Sequence, residues 1–221
     1  MRHIKTMPQL ETFGRVRLSQ HFFMRDFLYS EISNFYGLAN IPENPDRAIS
    51  AGKRLCTELL DPLVNTFGPI FVRSAYRSLQ VNGKGNKAGH NCASNEANYA
   101  GHIWDRLDNA GKMGATACIV IPWFADQYEE GRDWRDLAWW LHDHLIYSGI
   151  CFFPKMAAFN LSWHEVPKPQ ISSHIAPKGI LHRVESFPQN SLSERQQRYS
   201  DFPEFCDIRY PPPRADGAPS A

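Results

Sequence analysis

The sequence predicts an α+β fold: a single domain with a small antiparallel or mixed sheet packed on helices, a long functional loop and an extended C-terminal tail. Three observations lead there. Apolar residues recur at helical spacing in two long segments. Short strand-like segments follow and separate them, without the βαβ rhythm that would demand a parallel sheet. Between Leu79 and Met113 the chain is rich in Gly, Asn, Lys and Ala and has little periodicity.

Each element has its own signal. "LSQHFFMRDFLYSEISNFYGL" begins at a cap-like Ser19 and predicts a short helix, so 18–45 reads as an N-terminal helical segment. "NIPENPDRAISAGKRLCTELLDPLVNTFG" is the clearest helix. Asn44 or Asp46 can cap it, Ile49, Leu55, Leu59, Leu60, Leu63 and Val64 make its apolar face, Pro62 predicts a kink or break, and Gly68 ends it. "PIFVRSAYRS" reads as a strand ending in a turn, and 79–113 as a long surface loop of a kind that is often functional. "GATACIVIPWF" is a buried strand. "GRDWRDLAWWLHDHLIYSG" is an amphipathic helix whose inner face holds Trp134, Leu137, Ala138, Leu141 and Leu145, and "ICFFP" and "AAFNLSWHEVP" are two further strands. The chain therefore divides into a domain over 1–187 and an extended or disordered tail over 188–221, where the polar end "YPPPRADGAPSA" lies. Leu59, Leu63, Ile70, Val72, Ile119, Ile121, Leu137, Leu141, Phe152 and Phe159 are expected to share one core.

Composition sets limits on function. The formal net charge of +1 over 221 residues gives no bulk field for nucleic acid, and no nucleic-acid partner is expected. No apolar run approaches the ~20 residues of a membrane span. The N-terminus, "MRHIKTMPQLETFGR", lacks the apolar region of a secretory signal, so the expected compartment is cytoplasmic. Five cysteines without a CxxC pair point to free thiols.

The candidate chemistry lies in three places. Arg73 and Arg77 bracket a turn at a strand end, where a guanidinium can hold a carboxylate through two parallel hydrogen bonds. Alternation along "FNLSWHEVP" puts Asn160, Ser162 and His164 on one face. His102, Asp105 and Asp108 sit on a polar turn that leads into the apolar segment holding Cys118. His102 and Asp105 can chelate if that turn is helical, whereas His142 and His144, two apart on a helix, do not face one another.

Three of these segments together resemble the M15 family of zinc D,D-carboxypeptidases and peptidoglycan endopeptidases, over about Pro62 to Val166. "FVRSAYRSLQVN" resembles its "SGYRS…N" signature, "GATACIVIP" its "GxAxDI" segment, and "WRDLAWWLHDHL…FNLSWHEV" its later helix and the strand ending in "WH". The resemblance implies a hedgehog/D,D-peptidase fold and a Zn²⁺ held by His, Asp and His, with a Glu as general base and an Arg that binds substrate. Carried over, Arg77 is that arginine and His164 the last ligand, and Cys118 stands where the Asp is expected. Gly111 occupies the first His position, which His102 can fill if the loop folds back. The other register takes "NYAGHIWD" as the metal segment, with Asn98 at the His position and Asp105 as ligand. Leu161 stands at the Glu position, leaving Asp105 or Asp108 as candidate bases.

The expected site is thus His102, Cys118 and His164 on zinc, with Arg77, Asp105 and Asp108 as catalytic residues. The expected function is hydrolysis of a peptide or amide bond by metal-activated water, on a peptide or peptidoglycan-like substrate. The alternative is a catalytically degenerate binding protein on the same scaffold, engaging a protein partner.

Overall fold

The computed structural model describes residues 4–183 and 191–206. Helix α1 (Met7–Gly14) opens on a reciprocal cap: Thr6 Oγ1 accepts from Gln9 N, and Gln9 Oε1 accepts from Thr6 N. After a single 3₁₀ turn at Met24–Phe27 comes α2 (Glu31–Tyr36), capped by Ser30. Helix α3 (Pro45–Leu55), capped by Asn44, then continues through a π-helical turn at Cys56–Leu60 into α4 (Asp61–Phe67). Pro62 does not break this rod. In the wide turn Asp61 N–H reaches back to Cys56 O, and the proline that follows takes a first-turn position where no N–H is required. Gly68, at φ 83°, ends the rod as expected.

Strand β1 (Phe71–Ser74) leads to α5 (Leu79–Lys87), in the stretch expected to be loop. Ser78 caps this helix. Its glycines mask the helical pattern but serve close packing: a Cβ on Gly85 would come within 2.7 Å of both Cys92 Sγ and Ile32 Cδ1. Residues 88–113 are mainly irregular. Strand β2 (Gly114–Val120) follows. Pro122 then starts α6 (Pro122–Glu129), so "PWF" is helix where strand was expected. Next come α7 (Trp134–His144), β3 (Gly149–Phe152), β4 (Phe159–His164), β5 (Gln170–Ser173), β6 (Gly179–Arg183) and α8 (Leu192–Arg198).

The six strands form one mixed sheet in the order β1-β2-β4-β3-β5-β6. Only the β3–β5 pair is parallel. One face packs on the α3–α4 rod and α7, making an α+β domain. The expected core forms: Leu59, Leu63, Ile119, Ile121, Leu137, Leu141, Phe152 and Phe159 are buried in a single cluster, with Ile70 and Val72 packed against it. Among the described residues no helix is long and apolar enough to cross a membrane.

The C-terminal tail departs from expectation. Residues 191–206 are clasped onto the domain; 188–190 and 207–221 lie outside the described residues. Arg195 meets Asp143 of α7 at 2.7 Å, with both side chains under a tenth exposed, and Tyr199 Oη donates to the same carboxylate. Arg132 holds Asp201 through two hydrogen bonds, and Phe202 packs among Phe67, Trp123 and Phe124. Polar composition concealed this clasp because arginines spaced along one helix find acids on another. Asp143→Ala would remove the buried carboxylate that Arg195 and Tyr199 share, so it is expected to lower the unfolding free energy by ~3–5 kcal/mol in a urea titration. A loss below ~1 kcal/mol would mean the clasp is a surface feature.

Candidate functional site

The site is set by the β2–β4 ladder. Cys118 pairs with Asn160, Thr116 with Ser162, and Gly114 with His164. Directly paired residues on antiparallel strands point to the same face, so these six share the face turned away from the core. Cys118 and His164 are thus four residues apart along the ladder, about 13 Å of strand.

His102 is brought to the Cys118 end by the loop before β2. That loop lies along the part of β2 that β1 does not reach: Thr116 N donates to Gly101 O at 3.1 Å, Trp104 Nε1 donates to Thr116 O at 3.1 Å, and Arg77 N donates to His102 O at 2.8 Å. Gly114 permits the approach, since a Cβ there would fall 2.1 Å from Ala100 O. The buried imidazole donates Nδ1–H to Ala75 O at 2.7 Å, which leaves Nε2 as a bare lone pair. Burial, then the charge of Arg77, hold His102 down to about 3, so it is neutral. Asn160 lies close enough to favour the charged ring, yet its own Oδ1 is buried without a hydrogen-bond partner.

Arg73, Arg77, Asn98, His102, Cys118 and Asn160 line one cavity of about 350 Å³, with exposed Glu31 the only carboxylate among its lining residues. Arg77 is half-buried and donates to Cys92 Sγ at 3.3 Å and Ser74 Oγ at 3.2 Å. Neither Arg73 nor Arg77 has an ion-pair partner among the described residues. Burial pushes the Cys118 thiol up to about 11, with Arg73 and Arg77 opposing. Transfer of its proton to His102 is strongly disfavoured, because burial raises the thiol and lowers the imidazole. The pair therefore rests as neutral thiol and neutral imidazole, and not as a thiolate nucleophile.

The other expected site residues stand elsewhere. His164 Nε2 lies 3.1 Å from Asp108 Oδ2, and its Nδ1 meets Val166, whose carbonyl oxygen is at 2.9 Å and amide nitrogen at 3.1 Å. Asp108 also accepts the amides of Ala110 and Lys112, which hold its pKa below the usual carboxylate range. Buried Asp105 accepts the amides of Glu43 and Asn44, at the start of α3, and the Tyr76 hydroxyl. It is an anchor for a helix N-terminus. The expected convergence of His102, Cys118 and His164 thus fails on strand register, and Arg77 opens on His102 and Cys118 instead of His164. The second register fails too, because Asn98 faces the cavity and Asp105 does not.

A family-type zinc site fits poorly here. The floor offers the His102 imidazole nitrogen, a protonated thiol and neutral amides, and His90, also in the lining, has its Nε2 against the Tyr36 hydroxyl; all face two guanidiniums that repel a dication. Among the described residues no group of three or more His, Cys, Asp or Glu could hold a metal ion. Asn160 is the residue that sequence reasoning left out of the site. Its signal was present in the alternation that put it on the His164 face, but only the register of β4 against β2 shows which of the two meets Cys118. No family model, curated protein or solved structure matches this chain.

Neutral His102 makes stability depend on pH in a definite sense. Its value is about 3 in the folded chain against 6.5 ordinarily, so the unfolded chain binds the extra proton between those values. The stability it contributes is complete above about 6.5 and is lost as pH falls toward 3. Urea titrations between pH 7.5 and 4.5 should show a shallower acid-side decline in His102→Gln than in wild type. Equal slopes would contradict a buried neutral imidazole.

Proposed function

We propose that this chain is a non-hydrolytic ligand-binding module on an M15-like scaffold, whose cavity takes the carboxylate end of a peptide-like ligand. The observation that carries the reading is the pairing of two guanidiniums, without carboxylate partners among the described residues, with a neutral floor of His102, Cys118 and Asn160. A guanidinium recognises a carboxylate through parallel hydrogen bonds, and partial burial of Arg77 strengthens them. Hydrolysis would need an activated water and a base to take its proton. Asp105 and Asp108, the two candidate bases, are committed to backbone amides away from the cavity.

The ligand's backbone would be positioned here without being cut. Arg77 is the anchor, Arg73 adds charge at the more exposed rim, and Asn160 lines the floor beside them. Calorimetric titration with short peptides ending in a free carboxylate should give saturable binding. Amidating the peptide, or making Arg77→Ala, should weaken it about 10- to 100-fold, the range of a charge-assisted hydrogen bond. The peptides should be recovered intact. Zinc-dependent cleavage lost in His102→Ala would overturn this reading in favour of the peptidase, and indifference to amidation would remove the carboxylate.

A further inference from the structure

A second cavity of about 360 Å³ lies on the same sheet face and shares Asn160 with the first. Its floor continues the ladder. Cys151 of β3 pairs with Asn160 on one side and with Ser172 of β5 on the other, and Gly149 pairs with Ser162. These are small side chains on the half-exposed face of their strands, and the two cavities meet at Asn160. At the far end Lys168 lines the cavity; its backbone N–H is turned to Ser148 Oγ, and no ion pair engages its ammonium among the described residues.

We infer that the two cavities form one trough, and that it takes an extended peptide with two anionic groups: a terminal carboxylate at Arg73 and Arg77, and an acidic side chain at Lys168. This rests on the carboxylate reading above and adds a second anchor to it. From β1 to β5 are four strand spacings, about 19 Å. An extended chain covers ~3.3–3.6 Å per residue, so the acid belongs about five to six residues before the terminus. The floor between the anchors presents hydroxyl, amide and thiol groups, which suit peptide N–H and C=O groups. No aromatic ring lines the second cavity, so a nucleobase finds no stacking platform there.

The test uses the full chain and fluorescent octapeptides of Gly and Ser with a free C-terminal carboxylate. One series carries Glu at successive positions before the terminus, and matched series carry Gln or Lys. In fluorescence anisotropy the Glu peptides should bind more tightly than the Gln peptides at one spacing only. Lys168→Glu should abolish that advantage, a loss of up to about fivefold that shrinks at high salt, and should change the Gln peptides by much less. The Lys peptide should then bind Lys168→Glu better than wild type. If every free-carboxylate peptide binds, depends on Arg77, and ignores both the Glu position and Lys168→Glu, the trough is wrong and the carboxylate site stands. If none binds, or binding ignores Arg77→Ala, the carboxylate reading falls with it.

Discussion

The register of β4 against β2 governs what the polar face of this sheet can be. A slip of two residues would keep the same side chains on the same face but give Cys118 a different partner. The register observed pairs Cys118 with Asn160, and Gly114 with His164. The buried alternation of Phe159, Leu161 and Trp163 commits β4 to the core on its other face, and Gly114 admits the Ala100 carbonyl that brings His102 alongside. The cavity, the separate His164–Asp108 contact and the distance between them all follow from that one ladder.

Charge then decides what the cavity can do. Its floor is neutral because burial keeps the proton on Cys118 and off His102, each against its ability to ionise. Its wall is cationic, with exposed Glu31 the only carboxylate in the lining. Such a site attracts an anion and gains little from a dication. The aspartates that could have served as bases instead satisfy backbone amides: Asp105 at the start of α3, and Asp108 in the turn before β2. Those bonds hold the loop that delivers His102, so the acids act on the site through structure.

Much of the fold was legible in local pattern. The long apolar stripe from Leu55 to Val64, the inner face of α7, and the strand alternation around Asn160 each read directly as elements, and their apolar residues meet in one core. What escaped depended on contacts distant in sequence. Helix α5 is glycine-rich because Ile32 and Cys92 press against Gly85, and α8 is polar because it is held by Asp143 across the chain. The site was half legible. Arg77, His102 and Cys118 do share a cavity: Arg77 follows β1, Cys118 lies within β2, and the loop laid along β2 returns His102 to them. His164 was misassigned because sequence alternation gives the face of a residue and says nothing of its position along the neighbouring strand.

The central claim, that Cys118 and His164 cannot share an ion, is tested most directly by zinc stoichiometry. Purified chain is equilibrated with zinc, passed over a desalting column and analysed for retained metal, in parallel with Cys118→Ala, His164→Ala and His102→Ala. The register predicts no stoichiometric zinc that depends on both Cys118 and His164. One zinc per chain, retained by wild type and lost in both the Cys118→Ala and His164→Ala variants, would contradict the register and the account built on it.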